Sequence, residues 1–148
     1  MQNNPAPRIL LGNWDTLREH AVPVRHRVFV IEQSVPIELE LDELDAECLH
    51  AVALDASGAA VGTGRLLPDG HIGRMAVLAA QRGTGVGGRL LEALVEEGWR
   101  RGHDELALNA QTHARSFYEA HGFHAEGDEF MEAGIPHVLM VRGRPSGG

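Results

Sequence analysis

The chain has 148 residues, 43% of them hydrophobic, which is enough for one domain with a sizeable core. It carries 13 basic and 21 acidic side chains, a net charge of −8, and every basic residue is arginine. The lack of lysine excludes Schiff-base catalysis and the P-loop lysine, the acidic balance argues against a nucleic-acid partner, and the single cysteine, Cys48, excludes an internal disulfide and a multi-cysteine zinc site.

No repeat, linker or low-complexity tract divides the chain, so we expect one domain over residues 1–148 with a flexible tail at 144–148. The first eleven residues contain only a short apolar run, at 9–11, which is too short for a signal-peptide core or a membrane span. We therefore expect a cytoplasmic protein without a membrane partner.

The predicted elements begin with an apolar strand at 9–11 and two short helices, one ending near His20 and one running from Pro23 to Gln33. The segment from Ser34 to His50 is crowded with acids and contains no lysine or arginine. It predicts a solvated loop or a rim that attracts a cationic amine. Three strands joined by hairpin turns follow, at 51–54, 59–67 and 72–77.

In the second half of the chain, helices and strands alternate. An amphipathic helix at 85–101 is followed by a strand at 105–109, a helix at 113–121 and a last strand at 136–141. Residues 130–134 are predicted to form a loop. Hairpins combined with strands that are connected through helices predict an α+β domain with a mixed sheet.

A glycine-rich turn before the amphipathic helix carries the strongest chemical signal. The run from Arg82 to Gly88 would bring backbone N–H groups, a helix N-terminus and a guanidinium to one anion, which suits a phosphate or pyrophosphate. Its spacing also fits the dinucleotide fingerprint, but hairpins precede it and Asn109 stands where an acid should bind the ribose. Arg89 and Leu90 stand where a P-loop needs lysine and serine or threonine.

At these residues the chain resembles the GCN5-related N-acetyltransferase (GNAT) superfamily. The run from Arg82 to Gly87 is similar to the arginine-x-x-glycine-x-glycine/alanine motif by which that family holds the pyrophosphate of acetyl-CoA. A second set of residues has the family's order and spacing around the coenzyme A thiol: Asn109, Ala114, Phe117, Tyr118, Gly122 and Phe123. Segments 27–33 and 134–137 resemble a bacterial subgroup, the ElaA-like proteins, so the resemblance covers nearly the whole chain.

The resemblance implies a GNAT fold, in which helices flank a mixed, mostly antiparallel sheet. It implies an acetyl-CoA-dependent N-acetyltransferase in which a small-molecule or peptide amine attacks the thioester directly, and it is compatible with a homodimer. No metal is implied. Strand residues 75–77 would lie beside the pantetheine, with backbone N–H groups stabilising the oxyanion. The implied cofactor-binding residues are Met75, Ala76, Val77, Arg82, Gly83, Thr84, Gly85, Val86, Gly87, Gly88, Asn109, Phe117 and Tyr118.

Acetyl transfer also needs an acid for the departing thiolate and a base for the acceptor ammonium. The resemblance implies Tyr118 as the acid, although an aromatic residue beside Phe117 could simply pack. The candidate bases are Glu32, Glu129, His113 and His137, of which Glu32 and His137 are assigned to the catalytic set, and the same four residues are the candidate acceptor-binding residues. Each of them has an alternative interpretation as an ordinary surface or core polar group. We expect the acceptor between Glu32 and segment 134–137, opposite the side where Arg82 lies.

Two questions stay open at this stage. Arg65 and Arg74 lie inside predicted strands, where a structural ion pair and an anion contact are the two interpretations. A coenzyme A binding or sensing module that performs no chemistry is the alternative function. A dinucleotide-dependent oxidoreductase is disfavoured because no acid is available for the ribose hydroxyls.

Overall fold

The computed structural model describes residues 7–40 and 42–146. Seven strands and four helices form its framework, and none of the helices in this part of the chain is long and apolar enough to cross a membrane. The strands are β1 Arg8–Gly12, β2 Leu49–Leu54, β3 Ala60–Leu66, β4 His71–Val77, β5 Glu105–Gln111, β6 His124–Glu132 and β7 Ile135–Gly143. The helices are α1 Trp14–Arg25, α2 Ile37–Glu40, α3 Val86–Arg100 and α4 Arg115–Ala120.

The strands form one sheet in the order β1-β2-β3-β4-β5-β7-β6. All neighbouring pairs are antiparallel except β4 and β5, which run parallel. This arrangement confirms the predicted mixed α+β sheet. The predicted tail at 144–148 is described only to Ser146, where it has no regular structure, and residues 1–6, 41, 147 and 148 lie outside the described part.

Each face of the sheet is covered by one long helix. Alternate residues of β2 point to opposite faces, as the period of a strand requires. Ala51 and Ala53 belong to the core beneath α3, in which Leu90, Leu91 and Leu94 are fully buried. Val52 and Leu54 pack instead against Leu17 and Ala21 of α1. The two helices therefore hold the sheet from both sides.

The first helical region differs from the prediction of two short helices. Asn13 caps α1 by accepting a hydrogen bond from the N–H of Thr16 at 2.9 Å, and the helix then runs through Pro23. It continues as π-type turns over His26–Glu32. A stripe of buried residues continues on both sides of Pro23. The burial of this stripe outweighs the preference of proline for the first turn of a helix. Its members are Leu17, Ala21, Val24 and Val28.

The last hairpin also differs from the prediction. Residues 124–132 form the edge strand β6 rather than the start of a loop, and the predicted loop at 130–134 is wrong. Nearly all of β6 is exposed, so it lacks the alternation of apolar and polar residues that marks a strand. Ala133 and Gly134 both have positive φ, 52° and 76°, as a tight two-residue hairpin turn requires. The turn places Glu132 opposite Ile135.

Candidate active site

A groove opens where β4 and β5 separate. Only His71 and Ile72 of β4 pair with β5, opposite Ala107 and Leu108, and beyond Ile72 the two parallel strands diverge. Residues 75–77 lie on the open side of β4 and line a cavity of about 950 Å³. This edge of β4 can therefore offer backbone groups to a ligand, as a sheet edge without a neighbour does.

A bulge in β4 lies just before this open edge. The register with β3 shifts between Thr63 and Arg65, so that Arg74 and Met75 lie opposite one residue, Gly64. Arg74 has φ = 51°, an uncommon conformation for a residue with a Cβ. Its guanidinium donates hydrogen bonds to the carbonyls of Leu39 and Glu40, at 3.1 and 3.2 Å. Hydrogen bonds to α2, which lies outside the sheet, thus hold the side chain of Arg74 in place.

The glycine-rich turn forms an anion cradle at the start of α3. Gly83 and Gly85 have φ values of 79° and 91°, and α3 begins at Val86. The six backbone N–H groups from Gly83 to Gly88 donate to no acceptor within the described part of the chain. These donors and the helix N-terminus are the groups that a pyrophosphate site uses, and the binding of a pyrophosphate here stays a prediction.

Arg82 lies beside this cradle and is held in place by two partners. Its Nε donates to the carbonyl of Val77 at 3.0 Å, and its NH2 group lies 2.8 Å from a carboxylate oxygen of Glu32. The expectation that Glu32 lies opposite the Arg82 side of the groove is therefore wrong. The π-type turns after α1 carry Glu32 to the side of the glycine-rich turn, where among the described residues it pairs with Arg82, the guanidinium predicted to bind the cofactor.

Tyr118 reaches the groove from α4. The ring is packed edge-on against Phe117 and Phe123, with centroids 5.0 and 6.2 Å away, and only 9% of the residue is exposed. Burial raises the pKa of the Tyr118 hydroxyl to about 12, so it keeps its proton at neutral pH. The hydroxyl makes no hydrogen bond to another described residue, although Tyr118 lines the cavity. The Tyr118 ring therefore packs in the core while its hydroxyl remains available as a hydrogen-bond donor.

Phe117 and Asn109 occupy different parts of this region. A Cβ built on Gly87 would meet the Phe117 ring at 3.5 Å, so Phe117 lies beneath the first turn of α3. Asn109 lines the cavity and donates from its amide to Glu132 Oε1 at 3.2 Å. Of the cofactor-binding residues that the resemblance implies, the cavity lining contains Met75, Ala76, Val77, Arg82, Asn109 and Tyr118.

His137 lies on the opposite wall, almost buried on β7. Its Nδ1 is 2.6 Å from the carbonyl oxygen of Ile135 and its Nε2 is 3.5 Å from Glu132 Oε2. Phe130 stacks on the ring at a centroid distance of 6.0 Å. The carboxylate of Glu132 therefore joins two predicted site residues, Asn109 and His137, although the sequence analysis did not select it.

His113 lines the same cavity from the turn after β5. It is exposed, and its Nε2 is 2.6 Å from Gln111 Oε1. Gln111 and Gln33 form a reciprocal amide pair, which ties the end of the first helical region to β5. Glu129, the remaining candidate, is exposed on β6 and does not line the cavity. Within the described residues, no group of three His, Cys, Asp or Glu side chains is arranged to hold a metal ion.

The acidic segment turns inward at two positions. Glu40 and Asp45 are almost completely buried, at 4% and 2% exposure, and pair with Arg25 from α1. Asp45 Oδ1 also accepts from Arg65 NH1 at 2.8 Å. A purely solvated loop or amine-attracting rim is therefore the wrong description of these two acids. Of the two interpretations that the sequence left open for Arg65, the contacts with Asp42 and Asp45 support the structural ion pair.

Asp42 completes this ion-pair cluster at its exposed end. Arg65 donates to both of its carboxylate oxygens at 2.8 and 2.9 Å, and Arg74 approaches at 3.2 Å. The hydrogen bonds from Arg65 hold the pKa of Asp42 below its usual range. The cluster, defined as Arg25, Glu40, Asp42, Asp45, Arg65 and Arg74, fastens residues 37–40 and 42–47 beside the cavity, which Glu40, Arg65 and Arg74 help to line.

The fold is that of the GNAT class of acyltransferases. The chain belongs to the acetyltransferase (GNAT) domain family, which it matches over residues 15–142. It is 41% identical over 138 residues to the uncharacterized N-acetyltransferase YjcF of Bacillus subtilis (strain 168), a match that covers 90% of this chain and 97% of that protein.

Two solved structures support the same assignment. ElaA from Escherichia coli is 28% identical with a TM-score of 0.82, covering 91% of this chain and 99% of that one. An acyl-CoA N-acyltransferase from Pseudomonas aeruginosa is 30% identical with a TM-score of 0.81, covering 93% and 99% of the two chains. The resemblance to GNAT proteins, including the ElaA-like subgroup, and the GNAT fold are confirmed.

Proposed function

We propose that the chain transfers the acetyl group of acetyl-CoA to the primary amine of a small molecule or peptide, by direct attack in a ternary complex. The observation that carries this proposal is one groove, at the separation of β4 and β5, that collects an open strand edge, a protonated tyrosine and the histidines His113 and His137. Such a groove holds donors and proton carriers on different walls, as transfer between two bound substrates needs. A cytoplasmic location belongs to this proposal.

The cofactor half of the site would use backbone groups. The pyrophosphate would occupy the cradle from Gly83 to Gly88 with Arg82 beside it, because unpartnered N–H groups and a guanidinium are good phosphate donors. The pantetheine would extend along residues 75–77, and Asn109 and Phe117 would border it. Val77 already accepts from Arg82, so the strand edge and the cradle form a continuous surface.

The chemistry requires charge stabilisation and two proton transfers. N–H groups on the open edge of β4 would stabilise the oxyanion that forms when the amine attacks the thioester carbonyl. Tyr118 would donate its proton to the departing thiolate, since burial keeps the phenol neutral and its hydroxyl has no described partner. A groove histidine, His137 or His113, would take the proton of the acceptor, because Glu32 is engaged by Arg82.

The test is Tyr118→Phe, assayed by release of free thiol from acetyl-CoA with a panel of primary amines. We expect turnover to fall on the order of 10²-fold, the typical contribution of one positioned proton donor, with the dissociation constant of acetyl-CoA unchanged. Phe retains the packing against Phe117 and Phe123, so a loss of turnover would not reflect unfolding.

The same assay distinguishes the alternative, a coenzyme A binding or sensing module. That module would bind acetyl-CoA, shown by a thermal shift, and would release no thiol with any amine. Binding of the dinucleotide NAD in place of acetyl-CoA would contradict both functions. Full activity in the Tyr118→Phe variant would leave acetyl transfer intact and return Tyr118 to a packing role.

A further inference from the structure

The hairpin of β6 and β7 assembles a polar cluster that the sequence does not reveal. Glu132 stands between His137 and Asn109, with one carboxylate oxygen directed at each. These residues come from three different strands, and the tight turn at Ala133 and Gly134 sets the spacing between two of them. The Glu132 side chain is 49% exposed and that of His137 only 7%, so the carboxylate lies between the buried ring and solvent.

The hydrogen bonds of His137 define which ring nitrogen can accept a proton. The carbonyl oxygen of Ile135 can only accept, so the nitrogen that meets it, Nδ1, carries the hydrogen. In the neutral ring Nε2 therefore holds the lone pair, and it lies 3.5 Å from Glu132 Oε2. A carboxylate next to this lone pair favours protonation of the ring, because the imidazolium that forms is paired with an opposite charge.

His113 provides a contrast in the same groove. Its Nε2–H donates to the neutral Oε1 of Gln111, and no carboxylate of the described residues pairs with it. In the sheet, Gln111 of β5 and Phe130 of β6 lie opposite His137. Besides Glu132, the charged or titratable residues that line the cavity with His137 are Glu40, Arg65, Asp69, His71, Arg74, Arg82, His113 and Tyr118. Glu132 is thus the anionic group that pairs with His137.

We propose that His137 is the general base for the acceptor amine and that Glu132, held by Asn109, is its positioning residue, an inference that rests on the proposed acetyl transfer. His137 Nε2 takes one proton from the acceptor ammonium, and Glu132 stabilises the imidazolium. The free amine nitrogen then bonds to the acetyl carbon, and the carbon–sulfur bond breaks when the resulting oxyanion collapses.

The protons balance over the whole reaction. The nitrogen enters as an ammonium with three hydrogens and leaves as an amide with one. One of the two protons lost reaches the coenzyme A sulfur by way of Tyr118, and the other leaves to solvent from the half-exposed Glu132–His137 pair. No oxidant, reductant or further reactant is needed.

The experiment compares Glu132→Gln and Glu132→Asp with a matched control, Glu126→Gln. Glu126 lies on the same strand and also pairs with a histidine, His124, at 3.4 Å, but it does not line the cavity. The ring of His137 is followed by NMR of histidine-labelled protein over pH, with His137→Gln used for assignment. The pH dependence of kcat is recorded in parallel with the best amine acceptor.

In Glu132→Gln we expect His137 to take up its proton at a lower pH than in the wild type, because the carboxylate that pairs with the imidazolium is gone. We expect the acidic limb of the kcat profile to move in the same direction and the maximal rate to fall on the order of tenfold, since the base is weaker. Glu132→Asp should restore part of both changes, and Glu126→Gln should show neither. The dissociation constant of acetyl-CoA should stay constant in all three variants.

The two readouts separate the inference from the proposed function. An unchanged His137 titration in Glu132→Gln overturns the inference even if acetyl transfer is efficient. A kcat profile that responds to His113→Gln and not to Glu132→Gln assigns the base to His113 and also overturns it. A wild-type protein that releases no thiol overturns the proposed function and with it the role of His137 as base, whereas the electrostatic pairing is judged by the NMR titration alone.

Discussion

The two sides of the groove are built in different ways. The side proposed for the cofactor, called here the cofactor side, is a continuous stretch of chain from the open edge of β4 through the turn to α3, and it presents mainly unpartnered backbone N–H groups. The side proposed for the amine, called here the acceptor side, is assembled from side chains far apart in sequence, through the buried ion-pair cluster and the polar cluster at Glu132. Local sequence specifies the first side, and tertiary contacts specify the second.

This difference predicts different responses to mutation. A contiguous turn can be changed with local consequences, because few other elements depend on it. The ion-pair cluster joins α1, α2, β3 and β4 to Asp42 and Asp45. Each of its carboxylates contacts more than one guanidinium, so the loss of one charge weakens the attachment of several elements. The following predictions test this contrast, beginning with the largest effect.

Asp45→Asn should have the largest effect, lowering the free energy of unfolding by about 3–5 kcal/mol, the usual cost of leaving a buried charge without its partner. Asp45 is 2% exposed and receives hydrogen bonds from both Arg25 and Arg65, so its loss leaves two buried guanidinium groups without a shared carboxylate. Urea unfolding at neutral pH measures the change.

The control is Glu119→Gln, which breaks the exposed pair between Arg115 and Glu119 in α4. Exposed pairs contribute at most about 1 kcal/mol, so this variant should unfold almost like the wild type. Equal losses in the two variants would contradict the view that burial makes the acceptor side sensitive.

The ion-pair cluster should also be sensitive to acid, because a buried histidine on β2 is hydrogen-bonded to the backbone of Asp45. Burial lowers the pKa of His50 below 6.5, and its ring donates from Nε2 to the carbonyl of Asp45 at 2.8 Å. As the pH falls below 6.5, His50 binds a proton in the unfolded chain but stays neutral in the folded chain, so the free energy of unfolding decreases. The slope contributed by one proton is at most about 1.4 kcal/mol per pH unit.

His50→Gln should reduce this slope between pH 6.5 and 5, in unfolding experiments at a series of pH values. His124→Gln, a change at an exposed histidine on β6, is the matched control and should leave the slope unchanged. Asp42, whose pKa lies below its usual range, loses its contribution only at a lower pH, so the two effects fall in separate windows. An identical slope in wild type and His50→Gln would contradict the prediction.

The same contrast explains how much could be predicted from the sequence. The strands from β2 to β4, the helix α3 and the glycine turn follow local patterns of hydrophobicity and glycine, and they lie close to where these patterns place them. The inward turn of Glu40 and Asp45 depends on Arg25 and Arg65, which lie at least 15 residues away in sequence. No local pattern distinguishes these two acids from their exposed neighbours.

The strand β6 and the residue Glu132 were missed for a related reason. An edge strand with almost every residue exposed has no apolar face to produce a period of two. The pair of Ala133 and Gly134 is a weak turn signal, because alanine rarely takes a positive φ. The placement of Glu32 failed because π-type turns rotate side chains away from the positions that a regular helix would give them.

Glu32→Gln should have the smallest effect and an unusual sign: it should tighten acetyl-CoA binding by a few-fold. Glu32 pairs with Arg82 at 2.8 Å, and a pyrophosphate that uses the same guanidinium must compete with this carboxylate. Both side chains are partly exposed, so the competition is worth only about 0.2–1 kcal/mol, the range measured for surface ion pairs. Isothermal titration with acetyl-CoA at constant ionic strength gives the affinity.

Two further variants distinguish the effect of the Glu32–Arg82 ion pair on acetyl-CoA affinity from a general effect of net charge. Glu19→Gln removes one exposed carboxylate from α1, where it makes no ion pair with a described residue, and should change the affinity much less. In an Arg82→Ala background, Glu32→Gln should have no effect on affinity, because the guanidinium for which carboxylate and pyrophosphate compete is gone. Weaker acetyl-CoA binding in the single Glu32→Gln variant would instead mean that Glu32 orients Arg82 toward the cofactor, and the two sides of the groove would then share a side-chain contact that stabilises the bound state.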